Sequence, residues 1–407
     1  MKYRRLITHY LFFAPLFLIG LSANAQDYGK PGFNNSDVKN QMLHGKKEGK
    51  WIEYRDSDFN ATTNINAPYY VLLSYKDGKR IDTAHEYYKS GKLYAVGAYA
   101  NGKKNGLHKE YYESGTLMSE WPYTNGKENG LAKVYFENGK LESETLFKDG
   151  MAEGVKKTYY ENGRLKWEEP FTDSLEDGLA KHYYESGKKL AEWPYVKGKK
   201  SGTVKEYHEN GKPLRESPYV NDKENGTAKE YYESGKLEWL TLYANDNKVD
   251  TERGYYEDGK LEWIIPWTDG KRNGIEIGYT EDGKVKGTYP YVMEKRTAVE
   301  KRYYENGTLR REIPYDDDKQ NGTQKVYYAS GKICEITTYA NDTIIGEYKR
   351  YFENGKLNLE ASFVNGKMNG DVKWYRENGT LTQLLTYRYG VMVGGVTNYD
   401  ENGSEIK

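Results

Sequence analysis

The chain has 407 residues, in which 61 Lys and Arg balance 61 Asp and Glu, with a single cysteine, Cys334. That balance provides no field to gather nucleic acid or an acidic membrane surface, and one cysteine excludes an internal disulfide framework or a Cys-based zinc site. Hydrophobic residues make up only 37%, but 42 tyrosines lift the aromatic share to 15%, which suits a thin fold whose residues are half wet.

At the N-terminus, Arg4 and Arg5 precede an apolar stretch from Leu11 to Leu21, and Ala23-Asn24-Ala25 follows as a small-x-small site. Residues 1–25 are expected to be a secretory signal peptide cleaved after Ala25, so the mature chain is expected to be exported to the periplasm, the cell surface or the medium. The apolar stretch is too short for a transmembrane span, and no later stretch reads as a membrane helix. Residues 26–42 lack any pattern and are expected to form a flexible leader. From residue 43 to 407 the chain is expected to be a repeat array. It opens at Gly45, Gly49 and Trp51, and a loop insertion near 55–67 delays the next matching glycine to Gly78.

Fourteen glycines then recur at one constant spacing, from Gly91 and Gly115 to Gly403. A tyrosine precedes each by four positions, as in Tyr111 with Gly115, Tyr135 with Gly139, Tyr159 with Gly163 and Tyr231 with Gly235. A fixed period of about 24 residues marks units that bury their apolar faces only by stacking on neighbours. Asn-Gly, Asp-Gly and Ser-Gly pairs at the marker glycine predict a two-residue type I′ turn, and hence one antiparallel β-hairpin per repeat. With Ser114 and Gly115 as the turn, Tyr112 faces Leu117, Tyr111 faces Met118 and Lys109 faces Glu120. The lysine–glutamate opposition recurs at Lys133 with Glu144, Lys157 with Glu168, Lys181 with Glu192, Lys205 with Glu216, Lys301 with Glu312, and Lys349 with Glu360. The expected fold is all-β, an elongated array of antiparallel hairpins.

Strand alternation sorts the side chains by face. One face receives all eight tryptophans together with the aromatic before the turn and the leucine after it, and is expected to be the packing surface. The other receives the Lys–Glu pairs and the marker tyrosines. In two copies Lys189 and Pro213 replace the leucine, with Leu190 and Leu214 one residue later, and a local bulge is expected there. Prolines such as Pro170, Pro194 and Pro218 lack an amide proton and are expected at a strand end or bulge, marking the hairpin edge.

The unit Tyr351-Phe352-Glu353-Asn354-Gly355-Lys356-Leu357, continuing through Phe363, Asn365-Gly366-Lys367 and Gly370, resembles the bacterial variant of the MORN repeat, in the form found in YwqK-type antitoxins. The resemblance covers nearly all of residues 43 to 407. It implies a hairpin array with a binding or scaffolding role, and it supplies no catalytic residues.

His9, His44, His85, His108, His182 and His208 show neither HxH nor HExxH spacing, so no metal site is expected. Neither a G-x-S-x-G elbow nor a P-loop is present, and acidic residues recur in every repeat where an active site needs an asymmetric cluster. No enzyme activity and no cofactor are expected. The candidate binding residues are Trp121, Trp167, Trp193, Trp239 and Trp263, whose rings either close the packing face or bind a partner. The expected function is an exported binding or scaffolding surface for a protein partner at the cell envelope. A glycan module using exposed tryptophans and an antitoxin or immunity-type partner of a toxin are the alternatives.

Overall fold

The computed structural model describes residues 40–406, and these contain strands and turns with no helix. The expected signal peptide lies outside the described residues. So does most of the expected leader, although its last residues begin the strand Gln41–Leu43, which pairs with Lys46–Arg55. The chain divides into two compact units, whose described parts are 40–127 and 128–406.

In the first unit the insertion near 55–67 folds back on its own strand. Asp56 Oδ1 accepts from the amides of Asp58 and Asn60 at 3.0 and 2.9 Å, and Ala61–Thr62 pairs with Arg55 and Tyr54. Phe59 then stacks on Tyr69 with ring centroids 4.4 Å apart. The strand Tyr69–Lys76 lies between Lys46–Arg55 and Lys79–Tyr88 and is buried on both faces. Tyr70 and Leu72 pack with Tyr54, Ala67 and Tyr87, while Val71, Leu73 and Tyr75 pack with Ala84.

The hairpin of each repeat differs from the expected one at its tip. Tyr112 N donates to Thr116 O at 2.9 Å and Gly115 N to Tyr112 O at 2.8 Å, so the loop is Glu113-Ser114-Gly115, with φ +95° at the glycine alone. This is a three-residue loop closed by a left-handed glycine, where a two-residue type I′ turn was expected. It pairs Tyr111 with Leu117, one residue off the expected register. A bulge at Met118 then resets the ladder, so that Glu110 faces Ser119 and Lys109 faces Glu120. The same shift recurs at Tyr159, Tyr183 and Tyr231 in the second unit.

The bulge changes the sorting of faces. Leu117 joins the marker tyrosine, and in the first unit Leu93 packs on the cluster holding Tyr87 while Trp51 packs on the opposite cluster. The leucines therefore lie opposite the tryptophans, a correction to the expected single packing face. Leu190 and Leu214 occupy the same bulge position as Met118, so those two repeats need no extra distortion.

The type I′ turns lie between hairpins. Asn101-Gly102 has φ +52° and +80°, and the pattern recurs once per repeat as far as Tyr389-Gly390. At each, the second residue's amide donates to a carbonyl of the preceding repeat, as Gly198 N to Glu176 O at 2.7 Å and Asp222 N to Lys200 O at 2.9 Å. The prolines stand inside their strands, third from the end, and so do not mark a hairpin edge. Pro170 in Leu165–Thr172 faces the break between Leu175–Glu176 and Gly178–Tyr183, where its carbonyl accepts from Asp177 N at 2.9 Å. Its ring covers Gly178, where a Cβ would stand 3.0 Å from Pro170 Cγ.

Candidate binding surface

The marker tyrosines Tyr111, Tyr135, Tyr159 and Tyr231 close hairpins beside Gly115, Gly139, Gly163 and Gly235. Tyr159 donates its hydroxyl to Glu144 at 3.1 Å and Tyr231 to Glu216 at 3.1 Å, and Tyr183, Tyr207, Tyr327 and Tyr375 make the same bond 15 residues back. Burial, then the hydrogen bond to its glutamate, pushes Tyr183 up to about 12. The tyrosine one residue later ties repeats together. Tyr160 donates to Tyr183 O and Tyr184 to Tyr207 O, both at 2.7 Å, and Tyr232 to Tyr255 O at 2.6 Å. Where the sequence changes, the contact persists: His208 Nε2 lies 3.0 Å from Tyr231 O, and Arg376 donates to Tyr399 O at 3.0 Å. Periodicity marks both rows but not their hydrogen bonds, which join the repeats into a ladder.

Register places the tryptophans of each unit on one face, opposite the Lys–Glu pairs. In the first unit Trp121 pairs with His108, whose ring lies over Gly97 and whose Nε2 is 2.9 Å from Ala98 O. In the second unit one cross-strand row starts Trp167, His182, Ala191, Glu206, Arg215, Glu230, Trp239. It continues Gly254, Trp263, Gly278, Gly287, Arg302, Arg311. Trp167 and Trp239 stand six strands apart, about 29 Å at about 4.8 Å per strand, so equivalent repeat positions do not assemble them into one site.

Trp239 and Trp263 have a structural task. Their rings lie over Gly254 and Gly278, where an added Cβ would come within 2.8 and 2.9 Å of them. An aromatic ring laid across a strand glycine replaces the side-chain packing that the glycine lacks. Trp267 is also engaged, donating from Nε1 to Glu252 Oε2 at 2.9 Å beneath Lys248, 4.8 Å from its ring. Glu252 accepts in addition from Thr241 and Lys248.

Trp167 and Trp193 form a different group. His182 stands between them, its ring centroid 5.6 Å from Trp167 and 4.2 Å from Trp193. Ala180 and Ala191 provide the floor, at 0% and 2% exposure, and being small they let the three rings lie close to the sheet. Lys200 Nζ sits 4.0 Å from the Trp193 ring and Lys166 Nζ 4.7 Å from Trp167, so each indole carries a cation. His182 Nε2 and Trp193 Nε1 are both buried without a hydrogen-bond partner. A buried polar atom left unpaired costs about 1–3 kcal/mol, so two at one spot mark a place where the repeat departs from packing alone. Burial lowers the His182 value, keeping the ring neutral at pH 7. Neutral imidazole and indole can offer hydrogen bonds and flat apolar area, and neither is arranged as a nucleophile or base.

Among the described residues no group of His, Cys, Asp and Glu is placed to hold a metal ion, and no helix is long and apolar enough to cross a membrane. The family described as "MORN repeat variant" matches eleven segments from 104–125 to 368–389, together more than half of the chain. No curated protein matches it. Among solved structures, a crystal structure of TcdB2-TccC3-TEV is similar at 13% identity over 88% of this chain and 22% of that one, with a TM-score of 0.16. A TcdB2-TccC3-Cdc42 structure matches at 10% identity over 86% and 25%, with a TM-score of 0.15. A Tc holotoxin pore of Photorhabdus luminescens matches at 11% identity over 81% and 25%, with a TM-score of 0.12. The chain spans about a quarter of the length of these structures.

Proposed function

The chain belongs to the MORN repeat variant family, a family of binding and scaffolding repeats, and from that premise we propose that it is an exported, non-catalytic binding surface for a protein partner at the bacterial cell envelope. The Trp167–His182–Trp193 group carries this reading. It is the place on the tryptophan face where aromatic area, two cations and two unpaired ring nitrogens coincide. Interfaces use such groups as anchors, because large rigid rings bind at low entropic cost. Export rests on Arg4 and Arg5, the Leu11–Leu21 stretch and the Ala23–Ala25 site.

The test is affinity capture with the full chain and with Trp167→Ala and Trp193→Ala variants. A partner held by the native chain and lost from both variants, while each variant keeps its β-sheet circular dichroism, supports the reading. A partner retained by both removes this face from the interaction. N-terminal sequencing of the exported protein is expected to begin at Gln26. A toxic partner among the captured proteins would favour the antitoxin reading.

A second reading has its own observation. Trp167 and Trp193 are half-buried, so part of each indole stays open to solvent, and an exposed indole suits stacking on a sugar ring. Binding on a glycan array that Trp193→Ala abolishes would select it.

A further inference from the structure

The opposite face of the second unit carries a pattern that is complementary to itself. Six consecutive long strands, from Gly130–Tyr135 to Lys189–Val196, each carry one member of the Lys–Glu ladder, in the order Lys133, Glu144, Lys157, Glu168, Lys181, Glu192, the last of which also accepts from Lys189 on the same face. Two residues along each strand on the same face lies an apolar residue: Leu131, Leu146, Val155, Pro170, Leu179 and Pro194 in the same strand order. Four of these are well exposed, Leu131 at 44%, Leu146 at 42%, Val155 at 48% and Leu179 at 45%. In the next three repeats the position of Leu131, Val155 and Leu179 is taken by Thr203, Thr227 and Thr251. The apolar stripe is interrupted at those three repeats, although Leu107 before the block and Ile275 and Val299 beyond the threonines are exposed at the same position, and an exposed apolar stripe marks an interaction surface.

We infer that this face docks against the same face of a second copy of the chain. Consider a half-turn about an axis parallel to the strands, lying above the face and between the strands Met151–Tyr159 and Leu165–Thr172. It reverses the order of the six strands while keeping each stripe over itself. An alternating ladder reversed about its midpoint sets every lysine over a glutamate: Lys157 over Glu168, Glu144 over Lys181, and Lys133 over Glu192. The same operation sets Leu146 over Leu179, Val155 over Pro170 and Leu131 over Pro194. Both halves of the pattern are satisfied by one two-fold axis, as an isologous contact requires. No such match exists for a partner of uniform charge, since half of the ladder would repel it. The contact uses the face opposite Trp167 and Trp193, so it neither needs nor excludes the partner proposed there.

Sedimentation velocity on the full chain over a hundredfold concentration range tests the contact, with circular dichroism as the control for folding. A monomer–dimer equilibrium is expected. Val155→Glu and Leu179→Glu, both at exposed positions, are each expected to weaken dimerisation about tenfold or more, since each places a charge against an apolar partner. Lys157→Glu alone is expected to weaken it, and Lys157→Glu with Glu168→Lys to restore it. A native chain that stays monomeric throughout overturns the inference. So does an association that both glutamate variants leave unchanged, which would place the contact elsewhere.

Discussion

At the second position of the type I′ turns, six residues other than glycine hold a positive φ: Ser174, Asp222, Asp246, Glu294, Asp318 and Asp342. Each carries an acceptor, and the acceptor takes an amide of the preceding repeat. Asp222 Oδ1 accepts from Lys200 N at 2.8 Å, Asp246 Oδ1 from Glu224 N at 2.7 Å, and Ser174 Oγ from Ala152 N at 2.9 Å. The bond offsets the backbone cost of a left-handed residue, so Asp222→Ala, which keeps the strain and loses the acceptor, is expected to cost about 1–2 kcal/mol. Asp222→Gly, which loses both, should fall within about 0.5 kcal/mol of the native chain in urea denaturation. Trp193→Phe follows a different logic. Its Nε1 is buried with no partner, so removing that group relieves an unsatisfied donor and the variant should keep the native urea midpoint. His182 links the same group to pH. Its folded value lies below the ordinary value of about 6.5 because burial disfavours the charged ring, so the unfolded chain binds the extra proton first. Stability is thus full above about pH 6.5 and lost as pH falls toward the folded value. His108 adds a term of the same sign, again through burial. Glu192, held down first by its bond from Lys189, acts only at lower pH, below the usual glutamate value of about 4.5. The urea midpoint is expected to drop as pH falls below about 6.5, and His182→Asn should flatten part of that drop.

At the scale of the hairpin, the loop and the bulge cancel. Glu113-Ser114-Gly115 adds a residue on one side of the ladder and Met118 restores it, so Lys109 still faces Glu120. That is why the Lys–Glu register was legible from spacing although the turn type was not: any even accounting of the tip returns the same distant pairs. What was lost lies between the two irregularities, where Leu117 changes face. Periodicity cannot register a bulge that recurs from copy to copy, because nothing in the period moves. The Asn-Gly signal belonged to the other turn, at Asn101-Gly102 and its equivalents. The face of the tryptophans was likewise legible, but their division into glycine covers and an imidazole-bridged pair was not. That division depends on Gly254, Gly278 and His182, which belong to the hairpins after those of Trp239, Trp263 and Trp167 and meet them only through pairing between hairpins. The tyrosine ladder makes a prediction at this scale. Tyr184→Phe removes the 2.7 Å bond to Tyr207 O and leaves that carbonyl short of a donor, so a loss of about 1–3 kcal/mol is expected by urea denaturation. His208→Tyr, which replaces one donor to the next tyrosine carbonyl by the commoner one, should be neutral or stabilising.

Across the second unit each long strand pairs with its neighbours in sequence, the adjoining long strands and the short strands at the turns, so stability there is a sum over repeats and their shared edges. The bonds that tie repeats run from one repeat to its neighbour, as from Asp222 N to Lys200 O and from Tyr184 Oη to Tyr207 O. A deletion of one whole period should therefore let the flanking repeats meet through the same contacts. Removing residues 205–228 joins Val204 to Lys229, the equivalent of the lost Lys205, and places Tyr184 opposite a tyrosine carbonyl as before. Such a variant is expected to keep the native circular dichroism and to unfold in one transition at a modestly lower urea midpoint. Removing only 205–216 joins Val204 to Ser217 and deletes the loop closed by Gly211, so the strand arrives with neither turn nor partner. That variant is expected to lose the transition or to split it in two. Equal damage from the whole-period and the half-period deletion would show that stability resides in something other than neighbour contacts, and the repeat-by-repeat account of this unit would have to be abandoned.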